Sequence, residues 1–341
     1  MGAEECQCPQ AGYCEYFRQE MTYNPPNWQW CRSATEQERK NYKIDCDKKH
    51  ERRQSYLAGE YITNAKMIED CKNLLLPQVY NLKLKGVLGI PRSGMLPASM
   101  IAMWLNLPLY YLDENDNLKV LSGATDFGGV RMKDFQDCKE GRILIVDDTM
   151  YAGTAMKNIK NRLLEDVYFA TVYFKPDCEH KPDFFAKELS PPHLLEWNLF
   201  NCTYIEKALL DFDGIFSPNI PVPICEDDEK YVKFIKDVKP FPHRIPKTYC
   251  AGIVTGRLEK YRDITEEWLK RHGIDYGFLK MFPTEREQER NKNHVEEVSS
   301  FKAKIFSESD AHFFIESEIA EAIRIRQKSG KLVICPEERS A

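Results

Sequence analysis

Short apolar runs that end in polar residues alternate with helix-like stretches twice along this chain, and this alternation constrains the fold more than any other feature. In the first half the runs are KGVLGI, LPLYYL, RILIVDD and ATVYFK. In the second half they are YIEKALLDFDG, YCAGIVTGR, AHFFIESE and KLVICP. Strands separated by helices favour parallel, doubly wound sheets, which bind ligands at the carboxyl ends of their strands. The sequence therefore predicts an α/β protein with two consecutive doubly wound parallel-sheet domains and two active-site edges.

The predicted domains follow from where the alternation stops and restarts. A chain of 341 residues is long enough for two domains of ordinary size. We place a Cys-rich segment over residues 1–54, a first α/β domain over residues 55–203 and a second α/β domain over residues 204–341.

Charge and hydropathy exclude several classes of protein. The net charge is only −5, so no large positive field exists to attract nucleic acid. No apolar run reaches the roughly 18 residues that a membrane span requires. The start MGAEECQCPQ has no basic stretch followed by an apolar stretch, so we expect no secretion signal and a cytoplasmic location.

Cysteines are concentrated near the start of the chain, in a stretch with little periodic hydrophobicity. Such a stretch cannot form a core alone, but thiolate ligands can organise it around zinc or an iron–sulfur cluster. The spacing is irregular and has no C-x-x-C pair, so ordinary reduced cysteines are the alternative. The candidate metal ligands are Cys8, Cys14, Cys31 and Cys46.

Residues 143–154 have the pattern of a site for a sugar phosphate. A buried strand ends in Asp147 and Asp148, and a loop of small residues then leads into a helical stretch. Backbone N–H groups at a helix start can bind phosphate, and the two carboxylates can accept hydrogen bonds from sugar hydroxyls. The alternative is that the two aspartates only cap the following helix.

This stretch resembles the phosphoribosyl pyrophosphate (PRPP) signature of the type I phosphoribosyltransferases, and residues 89–98 are similar to the pyrophosphate loop of that family. The resemblance implies the type I fold, a bound Mg²⁺ and displacement of pyrophosphate at the anomeric carbon. It also implies that a loop over residues 122–135 closes over the site. The PRPP-binding residues that it implies are Arg92, Ser93, Gly94, Asp147, Asp148, Ala152, Gly153 and Thr154.

Lys175 and Trp197 resemble the base-binding positions of the 6-oxopurine members, where a lysine contacts the base carbonyl and an aromatic ring stacks on the base. A Trp197 ring packed in the core is the alternative. The phosphate loop departs from the family pattern T-G-x-T, because alanine stands at positions 152 and 155. Tyr151 stands where the 6-oxopurine enzymes place an aspartate that assists deprotonation of the base. The resemblance therefore implies a nucleobase-like acceptor and leaves its identity open.

A second pair of carboxylates, Asp211 and Asp213, follows the first strand of the second half. One can attack phosphorus while the other handles the proton of the leaving group. With later residues this pair resembles the four motifs of the haloacid dehalogenase (HAD) superfamily over residues 204–337. The later motif residues are Thr255, Lys302 and Glu316, with Lys304 as the alternative lysine.

The second resemblance implies a HAD-like Rossmannoid fold that hydrolyses phosphomonoesters. Asp211 would be the nucleophile and Asp213 the general acid and base, while Thr255 would bind a phosphate oxygen. Lys302 would offset the charge of the aspartyl phosphate, and Mg²⁺ would be held by Asp211, Asp213 and Glu316.

The two resemblances together predict a bifunctional enzyme of nucleotide metabolism. One domain would transfer phosphoribose from PRPP to a nucleobase-like acceptor, and the other would dephosphorylate a small molecule. The alternative from another class is a PRPP-sensing regulator with a catalytically silent transferase domain. The sequence leaves open whether the chain forms a homo-oligomer.

Overall fold

The computed structural model describes residues 60–114, 117–121, 140–163, 166–221 and 228–336. The described chain belongs to two compact units, one comprising Gly59–Trp197 and the other including Asn198–Ala341. Several predictions lie outside the described residues: the metal ligands Cys8, Cys14, Cys31 and Cys46, and the closing loop over 122–135.

The first unit is an α/β layer structure around a six-stranded sheet. In chain order it contains β1 (Tyr61–Ile62), α1 (Asn64–Asp70), a π-helical turn (Cys71–Leu75), α2 (Leu76–Val79), β2 (Leu84–Gly89), α3 (Met95–Leu105), β3 (Leu109–Leu112), β4 (Leu118–Val120), β5 (Arg142–Met150), α4 (Thr154–Arg162), β6 (Val167–Phe174), β7 (Phe184–Glu188) and β8 (Leu194–Leu195). A 3₁₀ helix (Glu196–Asn201) follows.

The main sheet has the strand order β4-β3-β2-β5-β6-β7, and β1 pairs with β8 in a separate two-stranded sheet. All pairs are parallel except β3 with β4, which are antiparallel. The predicted α/β class with a parallel sheet is confirmed for this unit. The expectation of a purely parallel sheet needs one correction at the edge, because β4 follows β3 after a short turn that only an antiparallel pairing can accommodate.

The apolar runs are continuous because helices cover both faces of the sheet. In β5, Ile143 and Ile145 pack into the core on one face, and Leu144 and Val146 pack into the core on the other. The run ends at Val146, the last residue of β5 that pairs with β2, so Asp147 and its neighbour come to lie at the carboxyl end of β2. Burial of the strand thus positions the first candidate site.

The second unit is built around a five-stranded sheet. In chain order it contains a 3₁₀ helix (Thr203–Lys207), β9 (Ala208–Leu210), α5 (Asp228–Asp237), a 3₁₀ helix (Pro242–Arg244), β10 (Gly252–Leu258), a 3₁₀ helix (Glu259–Tyr261), α6 (Arg262–Arg271), β11 (Leu279–Phe282), a 3₁₀ helix (Thr284–Arg286), α7 (Glu287–Lys292), α8 (His294–Glu308), β12 (Phe313–Ile315), α9 (Ile319–Ser329) and β13 (Leu332–Ile334). The strand order is β11-β10-β9-β12-β13 and every pair is parallel.

The central strand β9 is fully buried, and its neighbours β10 and β12 run parallel to it. On one face Ala303 and Phe306 of α8 pack against Leu209, Val254 and Phe314. Residues that follow β9, β10 and β12 therefore meet at one edge of the sheet. This edge carries the second candidate site.

Of the described helices, α8 is the longest, with 15 residues. A membrane-spanning helix needs about 20 apolar residues. Within the described ranges, no helix has both the length and the apolar character needed to cross a membrane.

Candidate functional site

The loop after β2 lies directly against the end of β5 at the carboxyl edge of the first sheet. Gly89 pairs with Val146 across the two strands, and the Ile90 N–H donates to the Val146 carbonyl at 2.9 Å. A Cβ on Gly94 would lie 2.8 Å from that carbonyl oxygen and 2.9 Å from Asp147 Oδ1. Glycine at this position therefore lets the predicted pyrophosphate loop approach the acidic pair.

Asp148 joins three segments of the chain. Its side chain is buried, and both of its carboxylate oxygens accept hydrogen bonds. Ser93 Oγ donates to Oδ1 at 2.8 Å, and Trp197 Nε1 donates to Oδ2 at 2.7 Å. Three residues predicted for the pyrophosphate loop, the ribose and the base thus meet in one place. We call Ser93, Asp148 and Trp197 the Asp148 cluster.

Asp147 lies beside this cluster and is half-buried. Its Oδ1 accepts the backbone N–H of Asp148 at 3.0 Å. Burial, and after it the charge of Asp148, raises the pKa of Asp147 to about 8. Burying two adjacent carboxylates is unfavourable because their negative charges repel and lose contact with water. A ligand that donates hydrogen bonds to both, such as a sugar with neighbouring hydroxyls, would offset this cost.

The predicted phosphate loop leads into the start of α4. Gly153 has a φ of +76°, and a Cβ there would lie 2.8 Å from both Cβ and the carbonyl oxygen of His180. This left-handed conformation and the close approach both require glycine. Ala152 and Thr154 on either side are exposed, as is Arg92 in the loop after β2. The positive end of the α4 dipole favours an anion at this position.

The two predicted base-binding residues lie at the same edge. Lys175 follows β6, its backbone N–H donates to the Met150 carbonyl at 2.9 Å, and its Nζ pairs with Asp177 at 3.0 Å. The Trp197 ring is half-buried and packs against the apolar cluster on one face of the sheet, while its N–H reaches Asp148. The ring therefore combines a packing contact with a polar contact to the acidic pair.

Sequence reasoning missed His193, which is buried at this edge. Its Nδ1 lies 2.6 Å from Thr149 Oγ1, and its Nε2 lies 2.6 Å from the Leu189 carbonyl oxygen. Its ring lies against that of Tyr151, tilted by 37° with centroids 4.3 Å apart, and its backbone N–H donates to the Tyr151 hydroxyl at 2.9 Å. A single histidine after two prolines belongs to no motif, so no sequence signal could have found this contact.

In the second unit, Lys302 lies at the centre of a buried ionic cluster. Its Nζ is 3.1 Å from Asp211 Oδ1, 2.7 Å from Glu316 Oε2 and 2.8 Å from Glu321 Oε2. We call these four residues the Lys302 centre. Lys304, the alternative lysine, is exposed. Glu321 was missed because it follows the last predicted motif on α9 and carries no motif of its own.

Burial dominates the electrostatics of the Lys302 centre. It raises the pKa of Asp211 well above its usual range, and it also raises the pKa of Glu316. For Lys302, burial works against the charge, but the three carboxylates outweigh it and raise the pKa of the ammonium. Lys302 therefore stays positively charged and offsets the negative charge of the carboxylates around it.

Asp213 faces a different cation. Arg257 Nε donates to Asp213 Oδ2 at 2.8 Å, and Arg257 Nη2 donates to Oδ1 at 2.6 Å. The guanidinium carbon lies 3.6 Å from the centroid of the Phe212 ring. Thr255 Oγ1 accepts the Arg257 N–H at 3.2 Å. Arg257 stood beside a predicted motif residue, yet the sequence did not show that its side chain turns inward.

The predicted magnesium ligands do not share one centre. Asp211 and Glu316 face Lys302, whereas the carboxylate of Asp213 faces Arg257. Within the part of the chain that the structure describes, no group of three or more His, Cys, Asp or Glu side chains is arranged to hold a metal ion. Carboxylate oxygens are ligands that Mg²⁺ prefers, but cationic side chains occupy their positions here. The arrangement of these side chains therefore does not fit a resident ion.

Comparison with known proteins adds to this geometry. Residues 60–204 match the family described as phosphoribosyl transferase domain. The xanthine-guanine phosphoribosyltransferase of Desulfotalea psychrophila is 35% identical over 118 residues, which cover 34% of this chain and 68% of that protein. That of Idiomarina loihiensis is 26% identical over 151 residues, covering 41% of this chain and 83% of its own.

Among solved structures, the purine phosphoribosyltransferase from Pyrococcus horikoshii is 18% identical with a TM-score of 0.31, covering 41% of this chain and 93% of its own. The family match spans residues 60–204, which include the Asp148 cluster. Through residues 60–204, the chain belongs to the phosphoribosyltransferase family.

Proposed function

We propose that residues 60–204 transfer the phosphoribosyl group of PRPP to a purine-like base and release pyrophosphate. The observation that carries the proposal is the Asp148 cluster, in which Ser93 of the pyrophosphate loop and Trp197 of the base-binding segment both donate to the acidic pair. The xanthine-guanine phosphoribosyltransferases among the relatives support a purine acceptor.

The substrate would be PRPP with its Mg²⁺, which neutralises charge on the pyrophosphate. Asp147 and Asp148 would accept hydrogen bonds from the ribose hydroxyls, and the start of α4 would face the 5′-phosphate. A ring nitrogen of the base attacks the anomeric carbon, and pyrophosphate leaves with the electron pair of the broken C–O bond. Arg92 and the amides of its loop would stabilise the charge that grows on the leaving group.

The test is release of pyrophosphate by the purified protein with PRPP, Mg²⁺ and guanine, xanthine, hypoxanthine, adenine or no base. We expect release that depends on the base, together with the matching nucleoside monophosphate detected by mass spectrometry. Binding of PRPP without turnover of any base would overturn the proposal in favour of the PRPP-sensing regulator. That alternative is supported by Ala152 and Ala155, which remove two hydroxyl donors from the phosphate loop.

We further propose that the unit including Asn198–Ala341 hydrolyses phosphomonoesters through an aspartyl phosphate. The observation that favours this function is the position of Asp211, which is buried directly after the central strand β9 and lies 3.1 Å from Lys302. An Asp211 oxygen would attack phosphorus as the P–O bond to the leaving group breaks. Asp213, once released from Arg257 and protonated by water, would give that proton to the leaving alkoxide. Water would then hydrolyse the acyl phosphate to regenerate Asp211.

Asp211→Asn should reduce phosphate release from nucleoside monophosphates by at least about 10³-fold, because an amide cannot act as the nucleophile. The matched control is Asp237→Asn, which changes an exposed aspartate at the end of α5. Phosphate release is measured with purine and pyrimidine monophosphates for the wild type and both variants. Equal rates in wild type and Asp211→Asn would remove Asp211 from the nucleophile role.

A further inference from the structure

The hydrogen bonds of His193 fix which of its nitrogens carries the proton. The Leu189 carbonyl can only accept, so Nε2, at 2.6 Å, must be the N–H donor. In a neutral ring Nδ1 is then the acceptor, so the hydroxyl of Thr149 donates to Nδ1 at 2.6 Å. Burial lowers the pKa of His193, which favours this neutral ring at pH 7. Because its only proton is committed to His193, Thr149 Oγ1 can offer any further partner only an acceptor.

Thr149 lies where its Oγ1 could accept a proton from a bound base. Thr149 follows Asp148 directly in β5 and is only partly buried. By the resemblance described above, Tyr151 stands where the 6-oxopurine enzymes place a carboxylate, and it carries a phenol there. The Tyr151 ring lies against His193, tilted by 37° with centroids 4.3 Å apart. A hydroxyl backed by an imidazole, itself held by a carbonyl oxygen, is a recurring way to take up a proton.

We propose that Thr149 and His193 together accept the proton that the base loses during phosphoribosyl transfer, an inference that rests on the proposed function of residues 60–204. The ring nitrogen of the base forms its bond to the anomeric carbon as the bond to pyrophosphate breaks. The N–H proton of the base passes to Thr149 Oγ1, and the Thr149 hydroxyl proton passes to His193 Nδ1. The resulting imidazolium gives its proton to water after the products leave. Thr149 is the catalytic residue, and His193 acts through it.

The groups around His193 are compatible with a transient positive charge. Asp148 from β5 favours the charged ring, while Lys175 after β6 opposes it. Tyr151 contributes a ring face and an oxygen that accepts the His193 backbone N–H. The carbonyl of Leu189 accepts from Nε2 in both protonation states of the ring.

The variants Thr149→Val and Thr149→Ser separate a proton-transfer role from a packing role. Thr149→Val keeps the shape and removes the hydroxyl, so kcat for phosphoribosyl transfer should fall about 10²-fold while KM for PRPP stays within threefold. Thr149→Ser restores the hydroxyl and should recover kcat to within about fivefold. The control is Thr171→Val on β6, whose hydroxyl donates to the Tyr173 carbonyl at 3.0 Å and has no part in the proposed transfer.

The pH profile adds a readout that packing would not change. The wild type should lose kcat/KM for the base as His193 is protonated, at a pH below the usual range of histidine because burial lowers its pKa, and Thr149→Val should lose this acidic limb. A kcat for Thr149→Val within threefold of wild type would overturn the inference. An equal loss in Thr149→Val and Thr149→Ser would also overturn it.

A measurement on the unmodified protein keeps the test independent of folding of the variants. Single-turnover rates in mixtures of H₂O and D₂O should follow a curved dependence on the deuterium fraction, since two protons move together. A linear dependence, which indicates one proton in transit, would overturn the inference and leave the proposed function standing. A wild type that turns over no base would overturn both.

Discussion

Asp148→Asn is expected to reduce phosphoribosyl transfer by about 10²–10³-fold in a protein that stays folded. The amide oxygen can still accept the Trp197 N–H, and the amide N–H₂ can donate to Ser93 Oγ, because a hydroxyl also accepts. The geometry of the Asp148 cluster therefore survives the substitution. What disappears is the negative charge that, in the proposed reaction, would face a sugar whose anomeric carbon becomes positive in the transition state.

The measurement is kcat/KM for PRPP at saturating base, with thermal unfolding of the same samples. Asp166→Asn is the matched control, because Asp166 is an exposed aspartate of the same unit that pairs with Arg142 at 2.6 Å. We expect Asp166→Asn to retain wild-type activity. A loss of less than threefold in Asp148→Asn would show that the charge of Asp148 has no role in the reaction.

Lys302→Met should destabilise the second unit by about 3–5 kcal/mol, the usual cost of removing one partner from a buried ionic group. The Lys302 centre would then hold the carboxylates of Asp211, Glu316 and Glu321 without their common cation. Calorimetry should show the midpoint of unfolding fall by at least about 6 °C. The loss of stability should be largest above pH 7 and smaller near pH 5, because carboxylates that lack the Lys302 ammonium take up protons as the pH falls.

Lys304→Met is the matched control for this prediction, since Lys304 lies two residues further along α8 and is exposed. It should change the midpoint of unfolding by no more than about 1 °C. Adding Glu321→Gln to Lys302→Met should recover part of the stability by removing one of the three charges. Lys302→Met with wild-type stability across this pH range would show that the carboxylates do not depend on Lys302.

Much of the fold could be predicted because buried parallel strands are continuous apolar runs. The runs RILIVDD and ATVYFK predicted strands that the structure places at Arg142–Met150 and Val167–Phe174. The edge strand Phe184–Glu188 was not predicted, because its sequence FFAKE is only partly buried and is not a continuous apolar run. The pairing of Tyr61 with Leu194 was not predicted, because a contact between distant segments leaves no local pattern in the sequence.

Some features of the candidate sites could be predicted from the sequence and others could not. That the loop with Ser93 would meet Asp148 follows from topology, because the carboxyl ends of neighbouring parallel strands share one edge of a sheet. That Trp197 would donate to Asp148, or that Arg257 would turn toward Asp213, depends on side-chain rotamers and on loop paths. No spacing of residues encodes these choices, so the sequence supplied the motif residues of each site, and the structure had to supply their partners His193, Arg257 and Glu321.

The two ends of the first unit hold each other in place, and this has a practical consequence for shortening the protein. Tyr61 pairs with Leu194 in the two-stranded sheet, and three residues after Leu194 the chain places Trp197 on Asp148. Trimming the chain to begin after Ile62 would leave Leu194 and Leu195 without their strand partner. Damage at one end would thus reach the acidic pair through the other, so any truncated form of this unit needs both ends to keep the Asp148 cluster intact.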